Sequence, residues 1–242
     1  MPTARFFIGI DDTDAEDSIA TGALARELQL HLARTLPAEA LGVTRHQLAL
    51  LPEIAFSSHN SAACVEILAD VTPAALVARC LAFLQFFRHP GANPGLCVAT
   101  DTAAPAGARD FARRAQAELV TEAEAREVAE ECGFDLHAAG GTGRGVIGAL
   151  CAVLLRQTGN DGRFLALGGI RALPKRNLPV ATILESTPIA AVRVAEGPPL
   201  GPETAIDATN GVRPELLEGR AILVVAAEGG RYFTKGSKKE DQ

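Results

Sequence analysis

Short apolar runs alternate along this chain with apolar residues at i, i+4 spacing, a pattern that predicts strands and helices in alternation and an α/β (α+β) fold class. The first run, Phe6-Phe7-Ile8-Gly9-Ile10, passes straight into Asp11-Asp12-Thr13-Asp14, so a buried strand should end in clustered carboxylates. Residues 21–36 read as an amphipathic helix, with Leu24, Leu28, Leu32 and Leu36 on one face and Pro37 as its stop; Ser18 or Thr21 is the expected cap. Strands are predicted over 42–51 and 62–69, joined by the polar stretch Ser57-Ser58-His59-Asn60-Ser61. Thr72-Pro73 starts a second helix by N-cap and N1 preference, running to Phe87. Asn93-Pro94-Gly95 marks a turn before a strand over 96–100.

Two more helices are expected over 105–119 and 122–131, the second strongly charged and ended by Gly133. A short strand at 136–139 leads into Gly140-Gly141-Thr142-Gly143-Arg144-Gly145-Val146-Ile147-Gly148. The helix that follows, 146–155, is apolar all round and should be buried. After a strand over 164–167 the chain turns rich in Gly and Pro, with 221–225 the clearest apolar run. The tail, 235–242, is polar and expected to be disordered. No internal repeat is found.

A chain of 242 residues, 48% of them apolar, can build one large or two small domains with a proper core. No apolar run is long enough to span a bilayer, and no charged-then-apolar pattern opens the chain, so no membrane partner and a cytoplasmic location are expected. Cys64, Cys80, Cys97, Cys132 and Cys151 are widely spaced and odd in number, which predicts buried reduced thiols rather than a zinc ribbon or a disulfide framework. The net charge of −6 gives no overall pull toward nucleic acid.

The acidic loop carries the strongest chemistry. Like charges crowded at a strand end repel one another unless a cation or proton offsets them. Hard divalent ions with oxygen ligands, Mg²⁺ above all, are the usual partner, often shared with substrate phosphates. The alternative is an Asx-turn in which Asp bonds its own backbone. Two familiar motifs fit poorly. Asp12-Thr13-Asp14 opens like a haloacid-dehalogenase phosphatase, but Glu16 stands where Thr or Val belongs, and Asp12 and Thr13 replace the glycine turn of actin-like sugar kinases.

Gly143-x-Gly145-x-x-Gly148 matches the dinucleotide fingerprint by letter, yet the next predicted strand ends in Gly168-Gly169-Ile170-Arg171 with no acid, leaving only an NADP-type reading through Arg171. The same glycines would equally let backbone N–H groups approach an anion, with Arg144 adding a charged contact, or permit close helix packing.

In this order and spacing, Gly9-Ile10-Asp11-Asp12-Thr13-Asp14, Thr21, Asn93-Pro94-Gly95 and Gly143-Arg144-Gly145-Val146-Ile147-Gly148-Ala149-Leu150 resemble the archaeal isoleucine-tRNA 2-agmatinylcytidine synthetases. The resemblance spans most of the chain and thins after about Leu167. It implies a kinase-like catalytic domain over 1–134 followed by a ferredoxin-like domain over 135–242. It further implies Mg²⁺ and ATP as cofactors, with Asp11, Asp12 and Asp14 holding the metal and the phosphates, and Thr21 as the phosphate-accepting threonine. Gly143, Arg144 and Gly145 would lie near the nucleotide or amine site between the two domains. Where that family carries Lys-Thr-Arg-Gly-Asn this chain has Ser57-Ser58-His59-Asn60-Ser61, so His59 and Asn60 become candidate cofactor-binding positions, His59 also as an acid/base group or a structural histidine. The family's OB-fold and zinc ribbon find no counterpart.

The expected activity is therefore Mg²⁺·ATP-dependent phosphorylation or adenylation of a carbonyl or hydroxyl acceptor, a small molecule in preference to RNA, with an amine able to attack afterwards. The alternatives are tRNA cytidine modification with a separate RNA-binding partner, and a nucleotide sensor that transfers nothing.

Overall fold

The computed structural model describes residues 3–15, 18–54 and 60–236. His59 and most of the polar stretch before Asn60, together with the tail from 237 onward, lie outside the described residues. Two compact units divide at Thr158/Gly159.

The first unit contains β1 (Ala4–Asp11), α1 (Thr21–Thr35), β2 (Ala38–Gln47), β3 (Ser61–Ala69), α2 (Pro73–Phe87) and β4 (Gly95–Thr100). It continues with α3 (Ala106–Arg114), α4 (Glu122–Cys132), β5 (Asp135–Ala138) and α5 (Val146–Thr158). Its strands run β5-β4-β1-β3-β2, every pair antiparallel, with a bulge in β2 between Ala40 and Gly42. The order β-α-β-β-α-β with β4-β1-β3-β2 side by side is the split-βαβ, ferredoxin-like arrangement, built from residues 4–100.

Strand β1 is buried on both faces, because side chains alternate across a strand. Phe7 joins the core cluster of α3, α4 and α5, and Phe6, Ile8 and Ile10, on the opposite face, are buried too. Leu24, Leu28 and Leu32 of α1 are all buried, as their i+4 spacing predicts. Helix α5 is buried at every position from Val146 to Leu155 except Ile147, matching its all-round apolar sequence. It can lie on the sheet only because glycines meet it there. A Cβ at Gly9 would overlap the Ala149 carbonyl, and one at Gly95 would overlap Gly145 and Val146. Buried Glu66 of β3 pairs with Arg156 of α5 and with Arg5 of β1, tying helix to sheet by charge as well.

Local signals hold at several ends. Thr72 caps α2 ahead of Pro73, Thr121 and Glu124 form a capping box at α4, and Gly133 ends α4 at φ 66°. At α1 the expectation is corrected. The N-cap residue is Ala20, and Ser18 turns back to Ala15, so neither Ser18 nor Thr21 caps the helix. The carboxylate of Asp14 instead accepts the Thr21 N–H at 3.3 Å, the role a negative group takes at a helix start.

The second unit comprises β6 (Arg163–Ala166), β7 (Asn177–Pro179), α6 (Val180–Ser186), β8 (Ala191–Val194), β9 (Ala205–Asp207), β10 (Glu215–Leu217), β11 (Arg220–Glu228) and β12 (Arg231–Thr234). Its strands run β6-β10-β11-β12-β9-β7, with β8 on β11, around a core that includes Ile183, Ile206 and Leu223.

The mixed α/β class expected from sequence holds. Sequence places the boundary after residue 134, but β5 pairs with β4, and α5 packs on β1, β3 and β4, so both belong to the first unit. The split βαβ sits before that boundary rather than after it, and the second unit has one helix of seven residues among its strands. The NADP-type reading also falls. A dinucleotide fingerprint needs a parallel βαβ unit, whereas β5 before Gly143 is an antiparallel partner of β4. Among the described residues no helix is long and apolar enough to cross a membrane.

Because the Gly9 contact is backbone against backbone, Gly9→Ala should destabilise the protein by about 1–3 kcal/mol. Urea unfolding checks this, and a midpoint equal to wild type would mean that α5 does not lie this close to β1.

Candidate functional site

The end of β1, the loop through Ala15, the start of α1, the turn from Arg88 to Gly95 and the segment Gly140–Gly148 come together within the first unit. Asp11 is the last residue of β1, and a Cβ on Gly148 would overlap its carboxylate. Although Asp11 as a whole residue is only partly covered, its carboxyl group is enclosed against α5. That burial, reinforced by the charges of Asp12 and Asp14, pushes its pKa up from 3.8 to about 7, against the opposing pull of the Asp12 N–H and Arg144.

Asp12 sits at φ 51°, a left-handed conformation that Asp tolerates better than most residues. The twist aims its carboxylate at Arg144, whose Nε donates to Oδ2 at 2.8 Å. Its carbonyl accepts the Asn93 N–H at 3.1 Å. Thr13 is buried, and its carbonyl accepts the His89 N–H at 3.1 Å. Asp14 accepts the hydroxyl of Thr21 at 2.5 Å, while the Thr13 N–H and O–H reach Thr21 Oγ1 from the other side at 3.3 and 3.0 Å.

Asn93 ties two loops to each other. Its Oδ1 accepts the Thr142 N–H and O–H at 2.9 and 3.0 Å, and its carbonyl accepts the Gly145 N–H at 3.0 Å. Gly145 must lack a side chain, since a Cβ would stand 2.6 Å from Gly95 N and 2.7 Å from Asp11 O. Gly143, at φ 76°, turns the chain beside Ala138 into α5.

Of the residues singled out in sequence, Asp11, Asp12, Asp14, Thr21, Gly143, Arg144 and Gly145 thus fall in one place and within one unit. Asn60 does not join them by any contact among the described residues. Its Nδ2 donates to Ala49 O at 2.8 Å, and its carbonyl accepts from Leu48 and Gln47, closing the β2–β3 connection. Thr13, Gly148, Asn93 and Arg88 complete the site. Thr13, Gly148 and Asn93 carry sequence signals, as part of the Asp-Asp-Thr-Asp loop, the third fingerprint glycine and the head of Asn-Pro-Gly, whereas Arg88 carries none.

No three His, Cys, Asp or Glu side chains converge as a metal-binding group among the described residues. The three carboxylates point to different partners, so they do not form an all-protein cage. The donor set does suit Mg²⁺ in its commoner mode, with one or two carboxylates, several waters and substrate phosphates. A carboxyl whose pKa burial raises to about 7, with two further carboxylates beside it, is where a cation would relieve the charge.

No family model matches the chain, and no curated protein matches it. Solved structures do. TiaS in complex with tRNA, AMPCPP and agmatine aligns at 26% identity and a TM-score of 0.54, over 62% of this chain and 36% of that one. Apo TiaS, a tRNA agmatidine synthetase, aligns at 26% and 0.53 over 62% and 35%, and a tRNA fluorescent labelling enzyme at 26% and 0.54 over 62% and 35%. The chain therefore has a TiaS-like fold, and the alignment spans little more than a third of the length of those structures.

Asp11 makes stability depend on pH in a defined direction. With its folded pKa raised, the native state holds more protons than the unfolded chain between about pH 4 and pH 7, so stability falls as pH rises across that window. In metal-free buffer, Asp11→Asn should remove that fall and gain roughly 2 kcal/mol over wild type above pH 7. Urea midpoints at pH 5 and pH 8 test it. An unchanged slope would mean that the carboxyl is not enclosed.

Proposed function

We propose that this protein is a Mg²⁺·ATP-dependent enzyme, phosphotransferase- or ligase-like, that phosphorylates or adenylates a carbonyl or hydroxyl group. The observation that carries the reading is the Thr21–Asp14 contact. A hydroxyl in short contact with a carboxylate, held by two donors behind it, is a nucleophile with its base and its orienting group. The TiaS-like fold supports the choice of ATP, since TiaS is seen with the ATP analogue AMPCPP.

In this reading Thr21 Oγ1 attacks the γ-phosphorus, Asp14 takes the hydroxyl proton, and ADP leaves with the electrons of the broken P–O bond. The phosphothreonine then passes its phosphoryl group to the acceptor oxygen. Asp11 and Asp12 are the residues to hold Mg²⁺, which would screen the charge that builds on the phosphate oxygens. Arg144, paired with Asp12 here, is the guanidinium that would turn to an anionic group of the ligand if Asp12 served the metal. An amine would then attack the activated carbonyl carbon and displace phosphate, which leaves with the electrons of the broken C–O bond.

We infer a small-molecule acceptor, because a net charge of −6 opposes unaided binding to a polyphosphate chain. A second reading, tRNA modification with a separate RNA-binding partner, is favoured by the tRNA present in the TiaS complex.

Incubation with Mg²⁺ and ATP labelled separately at the α- and γ-phosphates tests the central step. Wild type should gain label from γ-ATP only, and Thr21→Ala should gain none while still binding ATP. Label persisting on Thr21→Ala would move the acceptor elsewhere, and absence of any Mg²⁺-dependent ATP binding by wild type would refute the reading. Arg144→Ala should raise the ATP or second-substrate KM by about tenfold with little change in melting temperature, as expected for loss of a charged contact to a ligand. A change confined to melting temperature would leave Arg144 a packing residue.

A further inference from the structure

Arg88 ends α2, its N–H donating to Leu84 O at 2.9 Å. Its guanidinium is only half used. Nη1 donates to the carbonyls of His89 and Pro90, each at 3.3 Å. Nε is buried and has no hydrogen-bond partner, and both hydrogen bonds recorded for the guanidinium are made by Nη1. Nε–H and Nη2 form one edge of the guanidinium, the pair of parallel donors that fits a phosphate or carboxylate through two bonds. A buried donor left unpaired is rare in a folded protein and carries a desolvation penalty.

The surroundings keep that edge in place. The guanidinium lies on Gly140, where a Cβ would stand 2.8 Å from both Cζ and Nε. Gly140 begins the glycine-rich segment, and the turn that carries Arg88 reaches the acidic loop through His89 N to Thr13 O and Asn93 N to Asp12 O. The same turn holds Thr142 through Asn93. No Asp or Glu occurs between Asp70 and Asp101, so α2 and this turn bring only positive charge to the site. His89 is fixed as well, its Nδ1 accepting the Gly91 N–H at 3.1 Å.

We propose that Arg88 is an anion anchor, its Nε–Nη2 edge taking two oxygens of one phosphate group on the ligand of this site. The identity of that ligand as ATP rests on the function proposed above; the binding of a phosphate oxyanion at Arg88 does not. Arg88 thus supplies a third kind of contact beside the carboxylates and Arg144, one that grips phosphate from the α2 side.

The test uses inorganic pyrophosphate in place of nucleotide, with Mg²⁺ present and sodium chloride at matched ionic strength as the control. Wild type should show a saturable rise in melting temperature beyond that in chloride. Arg88→Gln keeps the stem and should weaken the pyrophosphate response about tenfold or more, whereas Arg88→Lys should fall between, since an ammonium cannot make two parallel bonds. An Arg88→Gln variant that melts lower but responds to pyrophosphate as wild type does would overturn the proposal and leave Arg88 a structural residue. A wild type indifferent to pyrophosphate would overturn it too. A parallel titration with Mg²⁺·ATP separates the two ideas: pyrophosphate bound through Arg88 without any ATP binding would keep the anchor and sink the ATP reading.

Discussion

Where α5 begins, backbone lies directly against backbone, and most of the site follows from that contact. Gly9 and Gly95 on adjacent strands and Gly145 and Gly148 at the helix start leave no side chains between the two layers. The helix therefore comes down onto the end of β1 at the point where the chain turns acidic. Asp11 is caught beneath it, its carboxylate against the Cα of Gly148, and loses the water that would keep its pKa ordinary. A Cβ at any of these positions would overlap the backbone or carboxylate that faces it. Packing and electrostatics here have one cause.

The three aspartates then divide the work by what each can reach. Asp11 faces the helix, Asp12 turns through a left-handed backbone to Arg144, and Asp14 bonds the first residue of α1. Repulsion among them is offset partly by one guanidinium and by backbone N–H groups, and what remains adds to the burial that raises the Asp11 pKa. That leaves a site with negative charge still to be satisfied, facing a glycine-rich segment and a turn whose charged side chains, Arg144 and Arg88, are positive. Such opposition of charge suits a ligand that itself brings both signs, a metal ion with phosphates, better than it suits either alone.

Much of the first unit was legible because periodicity and local chemistry agreed there. The leucine ladder of α1, the all-apolar α5, the Thr-Pro start of α2 and the Gly133 stop each follow from a local rule that the packing does not override. The domain boundary was not legible, since nothing local in residues 135–158 says that β5 will pair with β4 rather than open a new sheet. Pairing partners are long-range facts. The second unit was hidden for a related reason: its strands are mostly three or four residues long, too short for alternation to register. Within the site, residues that act through charged side chains were visible, but Arg88 was not, because a single arginine at a helix end looks like an ordinary C-terminal cation until Gly140 is found beneath it.

On the proposed function, the contacts of Thr21 set what would have to change before its hydroxyl could attack. Its oxygen accepts the N–H and the O–H of Thr13 and donates its own proton to Asp14, so both lone pairs are engaged in the resting state. An attacking oxygen needs one lone pair free. The Thr13 N–H contact, at 3.3 Å, is longer than the hydroxyl contact at 3.0 Å and is the weaker of the two. That N–H belongs to the peptide that follows Asp12, which holds a left-handed φ of 51°. A cation drawing on the Asp12 carboxylate would compete with Arg144 for it. On the proposed function, a cation at Asp12 and the freeing of Thr21 Oγ1 would meet in one backbone turn.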